Sequence, residues 1–84
     1  MNPRAEIIEL LCTSDLSPGF GAALLVEAGR FPDGELAKAL EEVRKDCANL
    51  KQNQAAAGRK VFTISEAAGW TLLALAGRLR AQRR

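Results

Sequence analysis

Apolar positions recur along this chain at helical spacing, and Pro, Gly and capping residues divide the pattern into four stretches. Asn2 followed by Pro3 reads as an N-cap and a first helical residue. Glu6 lies one turn in, where a negative charge suits the positive end of the helix dipole. The helix expected over 3–13 sets Ile7, Ile8, Leu10 and Leu11 on a broad apolar stripe, with Glu6 and Glu9 facing water. Ser17-Pro18 repeats the start signal and opens a helix over 18–29, where Phe20, Ala23, Leu24, Leu25 and Val26 leave Glu27 as the only charge. A helix apolar on nearly every side is expected to be buried on most of them.

Arg30 to Gly34 reads as a turn, with Asp33 the expected N-cap of a long third helix over 34–57. Its apolar residues Leu36, Leu40, Val43, Cys47 and Leu50 are spaced four, three, four and three apart, which is a heptad seam. The opposite face carries Lys38, Glu41, Glu42, Arg44, Lys45 and Asp46, with opposite charges at i,i+4. Beyond Leu50 the helix offers nothing large to bury, so its polar tail is expected to project or fray. Gly58 ends it, and Arg59 to Phe62 form a short connection. Thr63-Ile-Ser-Glu66 then has the form of a capping box, with Phe62 placed as a hydrophobic staple. The fourth helix, expected over 64–82, is apolar on almost every side until Arg78.

These elements predict an all-α fold, a compact four-helix domain spanning 1–84 with a long third helix and the apolar helices 2 and 4 at its centre. The heptad seam has two readings. It packs on helices 2 and 4 within the monomer, or part of it stays open for a second copy or a partner. A homodimer is expected, because a chain of 84 residues buries only about 60 to 65% of its unfolded surface when it folds alone.

Composition narrows the chemistry. The chain has no histidine, which removes the commonest general base, the commonest metal ligand and every Ser-His or Cys-His nucleophile pair. Glu41 and Glu42 are adjacent on a helix and diverge by about 100°, so they do not share a site. Cys12 and Cys47 are too far apart in sequence for a zinc site and read as small buried hydrophobes in a reducing cytosol, a disulfide being the alternative. Gly19-Phe20-Gly21 lacks the preceding strand and following Lys-Ser/Thr of a phosphate loop. Small residues there, and Gly69 and Gly77 on helix 4, are expected to permit close helix packing. No catalysis, cofactor or metal is expected. The N-terminal residues do not read as a signal peptide, and the longest apolar stretch, Ala67 to Gly77, falls well short of the ~20 residues of a membrane span. A cytoplasmic protein with no membrane partner is expected.

Charge is unevenly placed. Residues 1–57 carry nine acids and six bases, whereas residues 58–84 carry one acid and six bases. The basic end, Arg59, Lys60, Arg78, Arg80, Arg83 and Arg84, has two readings. Arginines at a helix C-terminus complement its dipole and keep an apolar helix soluble, or the six form a patch for nucleic acid or an acidic protein surface. Sequence-reading of DNA fits poorly. The helix that would enter the groove carries Glu35, Glu41 and Glu42, which phosphates repel. The function expected is a small non-catalytic regulator, adaptor or inhibitor of bacterial or phage accessory type, binding stoichiometrically to a larger protein. The alternative is an accessory nucleic-acid-binding protein using the arginine-rich helix.

Overall fold

Each helix begins where a side chain or a proline can satisfy its free N–H groups. A computed structural model describes residues 2–82 and, among them, four α-helices and no strand: α1 (Pro3–Thr13), α2 (Pro18–Ala28), α3 (Asp33–Ala56) and α4 (Ile64–Gln82). Asn2 Oδ1 accepts from the Arg4 amide at 2.9 Å, and Ser17 Oγ accepts from the Phe20 amide at 3.2 Å. The capping box of α4 closes in both directions, the Glu66 amide donating to Thr63 Oγ1 at 3.1 Å and the Thr63 amide to Glu66 Oε1 at 2.8 Å. At the far end of α3 the Arg59 amide reaches the Gln54 carbonyl at 2.8 Å and the Gly58 amide the Ala55 carbonyl at 3.1 Å. That double closure requires a left-handed residue between them, and Gly58 supplies it with φ of 72°.

α4 packs against all three other helices and is the axis of the domain. Its Leu72, Leu75 and Leu79 are fully buried and meet Ile7 of α1, Leu24 and Ala28 of α2, and Leu36, Leu40 and Val43 of α3. Burying each large side chain contributes about 1.5 to 3 kcal/mol. Two charged clamps hold the layers in place. Arg44 of α3 pairs with Glu6 of α1 at 2.9 Å, and Arg78 of α4 pairs with Glu42 and Asp46 of α3. No helix of the described residues is long and apolar enough to cross a membrane.

Several expectations are corrected. α2 is not central: it buries only Gly21, Leu24 and Ala28, on one face against α4 and α1, and exposes Ala22, Ala23, Leu25 and Val26. Apolar residues all round a helix show how many faces could be buried, but α1, α3 and α4 already cover one another and leave α2 a single seat. Asp33 does not cap α3. Its carboxylate is taken by the Arg4 guanidinium, and Pro32 occupies the N-cap without a side-chain bond. The two thiols are free and unlike each other, Cys47 buried as expected and Cys12 exposed. Gly21 does mark a close approach, since a β-carbon there would lie 3.2 Å from Leu11, but Gly77 faces open space. The tail of α3, expected to project or fray, takes the first course: it is largely exposed, stays helical to Ala56 and is locked by the Gly58 closure.

Candidate functional site

Among the described residues, the basic side chains of the C-terminal third do not form one patch. Arg59 and Lys60 are exposed ahead of α4, whereas Arg80 is exposed near its other end, about 24 Å away at 1.5 Å per residue. Arg78 lies between them but is spent on Glu42 and on Asp46 at 3.5 Å. Arg83 and Arg84 lie outside the described residues. The heptad seam is core: Leu36, Leu40 and Val43 are buried against α4 and α1, Cys47 is buried, and Leu50 is half-buried.

A different feature unites three helices. Between α1, α3 and α4 lies a trough of about 410 Å³, lined by Glu6, Glu9, Leu10 and Thr13, by Arg44, Cys47, Ala48 and Lys51, and by Ile64, Ala67, Ala68 and Thr71. Each set has the spacing i, i+3, i+4, i+7, which is one helix face over two turns. Three parallel-sided walls about 10 Å long therefore surround a space where a bundle would hold one more helix. The small residues make the trough. Ala48, Ala67 and Ala68 stand where larger side chains would fill it, and they leave the floor apolar, with Leu10 and Cys47.

The rim carries charge of both signs. Glu6 and Arg44 pair across one end at 2.9 Å and so neutralise it. Glu9 on the α1 wall and Lys51 on the α3 wall make no ion pair among the described residues. Ile64 stands at the α4 rim with 79% of its surface exposed, held there by the capping box directly beneath it. The Thr63 amide, its hydroxyl and the charge of Lys60 keep the Glu66 carboxyl below the usual carboxylate range.

No protein-family model, curated protein or solved structure matches this chain. The trough therefore has to be read from its own chemistry. Among the described residues no three His, Cys, Asp or Glu side chains are grouped to hold a metal ion. The trough escapes a sequence reading that looks for chemistry, because its makers are alanines. The available signal was the lack of anything large to bury past Leu50 on α3, matched by Ala67 and Ala68 at the start of α4.

Proposed function

We propose that this chain is a small non-catalytic protein-binding module, a regulator, adaptor or inhibitor that acts by stoichiometric occupancy of a larger protein. The observation that carries this reading is the three-walled trough with its apolar floor, mixed-charge rim and exposed Ile64. Its dimensions suit two or three turns of an amphipathic helix, with small apolar residues inward and charges placed to meet Glu9 and Lys51. Recognition by an inserted helix needs no catalytic group. Two free thiols suit a reducing compartment, in keeping with a cytoplasmic accessory factor of bacterial or phage type.

The nucleic-acid alternative is ranked second, because Arg59 and Lys60 sit at one end of α4 and Arg80 at the other, with Arg78 already paired. The test is affinity capture from a bacterial lysate, with and without nuclease, using three baits: wild type, Ile64→Asp, and Arg80→Ala. One protein at equimolar amount, kept by Arg80→Ala and reduced at least about tenfold by Ile64→Asp, is the expected result; that loss corresponds to about 1.4 kcal/mol or more. Capture that vanishes with nuclease or with Arg80→Ala, and is unaffected by Ile64→Asp, would reverse the reading.

A further inference from the structure

The outward surface of α2 has no charged or hydrogen-bonding side chain. Its exposed residues are Pro18, Gly19, Ala22, Ala23, Leu25, Val26 and, just past its end, Gly29, while its one charge, Glu27, is half-buried. This surface continues onto α1. Leu11 lies against Gly21, and the Arg4 guanidinium donates to the Phe31 carbonyl at 3.0 Å, so the two helices run antiparallel. One turn before Leu11 is Ile8, and one turn after Gly21 is Leu25, which sets these two side chains level. Both are exposed, Ile8 at 50%, and Val26 beside them reaches 64%. An exposed apolar face spanning two adjacent helices marks an interaction site on an otherwise ordinary surface.

We propose that this α1–α2 face is the contact between two copies of the chain, stacked across a two-fold axis as a four-helix layer. The argument for a second copy rests on charge and size. The centre of the face offers no charge by which to select a different partner, whereas its two ends are of opposite sign. Exposed Arg30, only loosely paired with Glu27 at 4.0 Å, follows α2 at one end, and exposed Asp15, one of whose carboxylate oxygens accepts from Ser65 Oγ of α4 at 3.0 Å, precedes α2 at the other. A two-fold axis through the middle of the face runs the copies antiparallel and sets each Arg30 beside the other copy's Asp15. Two helices of 11 residues side by side present a rectangle of about 16 by 20 Å, or roughly 500 Å² of accessible surface once protruding side chains are counted. A stable interface needs about 600 Å² or more from each partner. The face thus supports a weak dimer that forms with concentration. Its position also matters: Ile8 and the trough residues Glu6, Leu10 and Thr13 point from opposite flanks of α1, so dimerisation leaves both troughs open.

Sedimentation velocity over a range of roughly 1 µM to 1 mM tests this, because a weak dimer fills with concentration. The expected result is a mass that rises from 9.0 kDa toward twice that value. Val26→Asp should weaken the dimer at least about tenfold, without changing the circular dichroism of the dilute protein, and Ala22→Glu gives the same readout with a good helix former. Leu73→Asp, at an apolar position of α4 that is 53% exposed and off this face, should leave the dimer intact. Arg30→Asp and Asp15→Arg should each weaken it, and combining them should restore it. A chain that stays at 9.0 kDa throughout, or a dimer broken by Leu73→Asp as readily as by Val26→Asp, overturns the proposal.

Discussion

Glu66 is fully exposed, yet its carboxylate is tied to the first turn of α4 by the Thr63 amide, which lowers its pKa below the ordinary 4.5. A depressed pKa means that the bond's contribution is complete above the unfolded value and fades as pH falls through the folded one. Thermal melts of wild type and Glu66→Gln should therefore differ by a constant amount near neutrality and converge below about pH 4.5, because only the glutamate gains a proton there. A gap unchanged at acid pH would mean that the charged bond does not stabilise the helix. Gly77 tests a different cost, because it sits inside α4 with no atom within 4 Å of where a β-carbon would be. Gly77→Ala should stabilise the domain by about 0.5 to 1 kcal/mol, raising the melting midpoint by about 2 to 8 °C. Single residues were unevenly legible. The capping box could be read from four letters, since its geometry is local, but nothing near Cys12 or Cys47 in sequence shows that one thiol meets water and the other the core.

At the level of helices, the punctuation was reliable and the neighbours were not. Prolines and caps act within one turn, so the limits of α1 and α4 stand as expected and those of α2 and α3 move by one residue. Position in the bundle depends on what the other helices leave uncovered, and no local pattern carries that. Hence α2, the most apolar helix, lies at the edge, while the seam of the highly charged α3 is buried. Leu40, 2% exposed in that seam, gives the sharpest check. Leu40→Ala should cost about 2 to 5 kcal/mol, and Leu40→Glu should abolish cooperative melting because it sets an unpaired carboxylate among leucines. Far-UV circular dichroism reads both, and a folded Leu40→Glu protein would show that the seam is not core. The trough was hidden for a related reason. It is a space between three helices, and a sequence records side chains better than it records their absence.

The domain has a hub, and the hub follows the three helices that close upon it. α4 is the fourth helix in chain order, yet Leu72, Leu75 and Leu79 are what Ile7, Leu24, Leu36 and Leu40 close upon. A fragment of residues 1–60 should show little stable helix by circular dichroism, and adding a peptide of residues 61–82 should restore it; a fragment that melts cooperatively alone would show that α1 to α3 make their own core. During synthesis the same arrangement sets an order of events. Domains commonly gain structure from the N-terminus as they emerge, but here the first three helices lack the leucines on which most of their core closes until the fourth has been made. Until α4 is made, the growing chain holds the apolar faces that α4 covers open to water, and an interruption before it leaves a product open to proteolysis in place of a partly working module.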